Sequence, residues 1–108
     1  MRYFKDTLIE QLADPTVASA YLNEHIQFKG PNASEHILEA IRNVLRAQGI
    51  DQVAKKSGLS RRTLYHAVSR KGNPSVDLFL KILDQLQVNI QFVAQAPQKP
   101  KKTSRKAA

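Results

Sequence analysis

The stretch SGLSRRTLYHAVS, residues 57–69, decides how this chain is read. Gly58 can take a positive φ that other residues resist, so it marks a tight turn. Ser60 follows as an N-cap, and a helix is expected over 61–69. Only Leu64, Ala67 and Val68 can form its buried side. Arg61, Arg62, Tyr65, His66 and Ser69 then point outward, with Thr63 at the flank. Two arginines in a first turn sit at the positive end of the helix macrodipole and repel each other. An isolated helix gains nothing from this arrangement, whereas a bound anion relieves both repulsions.

Working upstream, IDQVAKKS (50–57) reads as a short helix. Asp51 favours its first turn, Val53 and Ala54 face inward, and Lys55 and Lys56 suit its last turn. Two short helices that cross need a small residue where they approach, a glycine in the turn and apolar anchors beyond it. Ala54, Gly58 and the set Leu59, Leu64 and Ala67 supply these. Before this unit, SEHILEAIRNVLRAQG (34–49) is strongly periodic. Ser34 is its expected cap, Ile37, Leu38, Ile41, Val44 and Leu45 face inward, Glu35, Arg42, Asn43 and Arg46 face outward, and Gly49 stops it. Residues 1–29 read as helical in one or two pieces, with Asp14 and Pro15 starting a helix on which Val17, Ala18, Tyr21, Leu22 and Ile26 share a face. Gly30-Pro31-Asn32 ends that segment.

Downstream, a helix from about Ser75 to Leu86 carries Val76, Leu78, Phe79, Leu80, Ile82, Leu83 and Leu86 over an arc wider than one neighbour needs. VNIQFVA (88–94) alternates Val88, Ile90 and Phe92 with Asn89 and Gln91, which predicts one β-strand. A lone strand leaves its backbone groups unpaired, and the same strand from a second copy would satisfy them. The expectation is an all-α fold with one C-terminal strand paired across a homodimer. Leu78, Ile82, Val88, Ile90 and Phe92 are its dimerisation residues.

With 108 residues, one small domain is expected: a helical extension over 1–30, the main unit over 31–94 and a basic tail over 95–108. The net charge of +8 favours polyanions, but five of those charges fall on Lys99, Lys101, Lys102, Arg105 and Lys106. Only three remain for the rest of the chain. From Pro97 on, no apolar residue offsets ordering entropy beyond small alanines, so a mobile tail is expected, either solubilising or in loose backbone contact with nucleic acid. There is no cysteine, no signal peptide and no long apolar run, which points to a cytoplasmic protein without membrane contact.

With these residues in view, 50–69 resembles the helix-turn-helix of the lambda-repressor-like (Cro/repressor) family. The longer run AIRNVLRAQGIDQVAKKSGLSRRTLYHAVSRKGNPSVDLFLKILDQLQVNIQF is similar to the antidote (antitoxin) proteins of bacterial addiction modules. Their pattern has a glycine-ended helix, Ala-x-x-x-Gly-Leu-Ser, a Leu-Tyr pair, Gly-Asn-Pro and a leucine-rich helix. ADPTVASAYLNEHI also resembles the family's N-terminal segment. The resemblance implies a DNA-binding domain that dimerises, represses its own operon and binds a toxin, as in type II modules. Where related phage repressors place a phosphate-gripping glutamine, this chain has Ile50, so that contact moves to Gln52 or is lost.

A recognition helix enters the major groove N-terminus first, which makes Arg61, Arg62 and His66 the candidate base readers on double-stranded DNA with an inverted repeat. Ser60, Thr63, Tyr65, Lys71, Asn73 and Ser75 are candidate backbone contacts, as is Gln52. No enzyme is expected: His25, His36 and His66 lie in different segments without metal-ligand spacing, and neither a phosphate loop nor a nucleophile with its base is present. No cofactor follows. Two alternatives stand beside the antitoxin: a stand-alone helix-turn-helix regulator without a toxin, and an interaction role in which the N-terminal stripe covers a toxin.

Overall fold

A computed structural model describes residues 9–95. After a helical turn that ends at Gln11, five helices follow: α1 Pro15–Ile26, α2 Ala33–Gln48, α3 Ile50–Ser57, α4 Arg61–Ala67 and α5 Val76–Gln85. Local chemistry explains most of their ends. Asp14 accepts a hydrogen bond from the Thr16 amide at 2.9 Å, and Pro15 opens α1 with the φ that a first turn needs. Gly49, at φ 96, both ends α2 and opens α3. Its own amide bonds to Leu45 O at 2.9 Å, and its carbonyl accepts from the Val53 amide at 3.1 Å.

α1 packs along α2, and α3 then touches α2, α4 and α5 while α4 also rests on α5. One apolar cluster joins them. Leu12, Ala18 and Leu22 belong to it together with Leu38, Ile41, Val44 and Leu45 of α2, Val53 of α3, Leu64 and Ala67 of α4 and Ile82 and Leu83 of α5. Each leucine fully removed from water contributes about 1.5–3 kcal/mol before the entropy cost is counted. The segment before Gly30 is therefore part of the same core as α2.

The expected C-terminal strand is not formed, and the fold among the described residues is all-α. Residues 88–95 have no regular structure. The reason lies at the end of α5. Gln87 takes a left-handed φ of 66, the Val88 amide bonds to Leu83 O at 3.1 Å, and the Gln87 amide bonds to Asp84 O at 3.0 Å. These are the two bonds of a Schellman cap, in which the residue after the left-handed position turns its side chain back on the helix. Val88 is consequently buried as part of the cap. Gln48 Nε2 adds a bond to Leu86 O at 3.1 Å. The alternation of 88, 90 and 92 thus begins with a capping residue, and the backbone bonds that a strand would offer to a partner copy are partly spent on the helix.

Other boundaries also shift. α2 starts at Ala33 with Asn32 at the cap position, φ 64 and without a side-chain cap bond, so Ser34 lies inside the helix and does not cap it. α1 ends at Ile26, ahead of Gly30, and α4 ends at Ala67 instead of residue 69. Arg42 and Asn43 are half-buried where an outward position was expected. The expectations for Tyr3, Phe4 and Leu8 and for the tail from Pro97 on lie outside the described residues.

Candidate nucleic-acid interface

The turn between α3 and α4 is built by three consecutive residues. Gly58 caps α3 at φ 77, and its amide bonds to Ala54 O at 3.0 Å. Ser57, buried beneath the turn, donates from Oγ to Ala54 O at 3.3 Å and accepts from the Leu59 amide at 3.1 Å. Leu59 packs against the core, which pins the turn from inside. Ser60 then caps α4: its Oγ accepts from the Thr63 amide at 3.0 Å and donates to Thr63 Oγ1 at 3.0 Å. Both roles of that hydroxyl are used within the cap, which leaves the Thr63 hydroxyl hydrogen available to an outside acceptor.

Behind α4, Leu64, Ala67 and Val68 are buried as their spacing predicted. In front, Arg61, Arg62, Thr63 and His66 are exposed, and Tyr65 and Ser69 are half-buried. Arg61 Nε lies 3.2 Å from Asp51 Oδ1 of α3. Arg62 has no ion pair among the described residues. Gln52 and Lys71, Asn73 and Ser75 are exposed as well, with Ser75 Oγ occupied in capping α5 through the Leu78 amide at 3.1 Å. Of the five residues expected at a dimer contact, Ile82 and Val88 are buried in the core and Leu78 is half-buried, whereas Ile90 is 47% exposed and Phe92 96% exposed.

Comparison with known proteins decides the family of the chain. Residues 4–94 match the family described as "Probable addiction module antidote protein". The chain belongs to this antidote family. A protein of Haemophilus influenzae (strain Rd), described as "Uncharacterized protein", is 36% identical over 86 residues, covering 80% of this chain and 84% of its own. No solved structure matches. Antidote proteins are regulatory and non-catalytic, so this chain is not an enzyme. Among the described residues, no group of histidine, aspartate and glutamate could hold a metal ion, and no helix is long and apolar enough to cross a membrane.

Several residues that shape the antidote's α4 face escaped the reading of the sequence. Arg42 of α2 donates from Nη1 to Val68 O, which closes the C-terminal end of α4 with a charged donor. Its spacing from Leu38 and Leu45 places it on the buried face of α2, and that was the available signal. Ser57 lies four positions after Val53 and shares its inward face in the same way. Gly72 closes the loop after α4, where its amide bonds to Ser69 O at 2.8 Å. Arg70 reaches Glu35 of α2 at 3.6 Å, tying the same loop to the bundle.

Proposed function

We propose that this antidote-family chain is a sequence-specific DNA-binding antitoxin of a type II module, one that represses its own operon and neutralises a cognate toxin. The observation that carries the DNA-binding part is the two-sided character of α4. Three buried apolar residues fix it from behind, while Arg61, Arg62, Thr63 and His66 stand exposed on the other side. In a helix-turn-helix this is the face that meets the major groove. Arg61, Arg62 and His66 read base edges, and Gln52, Thr63, Tyr65, Lys71 and Asn73 hold the phosphates, with Ser60 and Ser75 serving chiefly as caps.

Repression of an inverted-repeat operator calls for two copies of α4 about one helical turn apart, so the chain acts as a homodimer. The side chains of Leu80, Ile90 and Phe92 are exposed apolar surface that a second copy can cover without strand pairing. A groove of about 280 Å³, lined in part by Ile90 and Phe92, lies between α1, α2, α5 and residues 88–92 and supports a protein partner on this side of the molecule.

The test is a footprint of the purified chain on DNA upstream of its own reading frame, combined with growth of cells expressing the neighbouring reading frame. A protected inverted repeat together with rescued growth is the expected pair of results. Protection without any rescue by the chain favours a stand-alone regulator, and no protection removes the DNA-binding role.

A further inference from the structure

We infer that Asp51 is a specificity-determining residue of this surface, which holds Arg61 in one orientation for reading a guanine edge. The inference rests on the DNA-reading role of α4 proposed above. Asp51 occupies the first turn of α3, where the macrodipole favours a carboxylate, and reaches across the turn to Arg61 Nε at 3.2 Å. The two side chains are 78% and 61% exposed, so the pair does little for folding stability. Its consequence lies in what remains of Arg61. An unrestrained arginine must lose much rotamer freedom before two parallel hydrogen bonds can form. With Nε held by Asp51, the terminal Nη1 and Nη2 groups are left, and they can donate side by side to guanine O6 and N7.

The carboxylate acts in a second way. Beside Arg61 on the exposed face, it offsets part of the attraction of that arginine for phosphates and repels any duplex regardless of sequence. The pair therefore adds discrimination without adding general affinity. A simple charge effect and a positioning effect then have opposite signs on removal of the acid. Losing a negative charge alone tightens binding to every duplex, whereas losing the brace on Arg61 weakens binding to the operator.

The full-length chain, Asp51→Ala, Arg61→Ala and the double variant are titrated against the upstream DNA and a shuffled duplex of equal length. Salt is held fixed, and thermal unfolding is recorded for each. Asp51→Asn, which keeps the shape of the first turn, is run beside them. Asp51→Ala is expected to lower the operator-to-shuffled affinity ratio about tenfold, with Asn shifting it in the same direction. Once Arg61 is alanine, removing Asp51 is expected to leave the ratio unchanged. Tighter binding of both duplexes by equal factors overturns the positioning role, as does a drop in the ratio of the same size with and without Arg61. If wild type prefers its operator and Asp51→Ala keeps the full preference, only the role of Asp51 fails. If wild type itself does not distinguish the duplexes, the DNA-reading role of α4 fails with it.

Discussion

Gly58 and Gly72 bracket α4, and a side chain would meet a different obstacle at each. No atom lies within 4 Å of the place a Cβ would take on Gly58, so the obstacle there is the φ of 77 alone. At Gly72 the added carbon would collide with Ala67 O and stand 2.9 Å from His66 O, against the backbone that ends α4. Gly58→Ala is therefore a strained turn with the contacts intact, at a cost of about 1–2 kcal/mol. Gly72→Ala must displace the loop or the helix end. In urea unfolding it is expected to lower the midpoint more than Gly58→Ala does, and to weaken DNA binding beyond its effect on stability. Equal losses at the two positions would contradict the close approach at Gly72.

α4 has only seven residues and cannot be stable in isolation, so its position comes from its neighbours. Leu64, Ala67 and Val68 anchor it to the core, Ser60 satisfies its first turn, and Arg42 satisfies its last. Replacing Arg42 with methionine keeps most of the apolar stem and removes the charged donor. A loss of about 1.5–3 kcal/mol in unfolding free energy is expected from chemical denaturation, although Arg42 lies on α2 and is not among the proposed DNA contacts. A loss below about 0.5 kcal/mol would mean that water replaces the guanidinium without penalty. The elements built from neighbours in sequence were legible: the stop at Gly49, the turn at Gly58, the caps Asp14 and Ser60 and the buried triplet of α4 all depend on residues within one helical turn. What was not legible depends on residues far apart. Nothing near Arg42 announces Val68, and nothing near Asp51 announces that Arg61 comes within 3.2 Å. The segment 88–94 misled for a related reason. Alternating side chains show which residues share a side of an extended chain, but not whether the backbone has already given its bonds to a helix end, as the Val88 and Gln87 amides have.

Across the molecule, most of the net charge and the proposed DNA-reading face are separate. Five of the eight net positive charges lie in the last eleven residues, and the remaining three are the balance of twelve basic and nine acidic side chains over the rest of the sequence. Such a distribution attracts any polyanion weakly and selects none. Selection requires fixed donors on a rigid support, and the proposed reading face has such a support in α4, braced by α2, α3 and α5 through a core that also includes Leu12, Ala18 and Leu22. The measurement that bears on this separation is a quantitative mobility shift with wild type, Arg61→Ala and Arg62→Ala, each titrated against the upstream operator and against unrelated DNA of the same length. Each substitution is expected to weaken operator binding by about 1–3 kcal/mol and to leave binding to unrelated DNA largely intact. An equal loss on both DNAs would reduce the two arginines to phosphate contacts and contradict the assignment of specificity to α4.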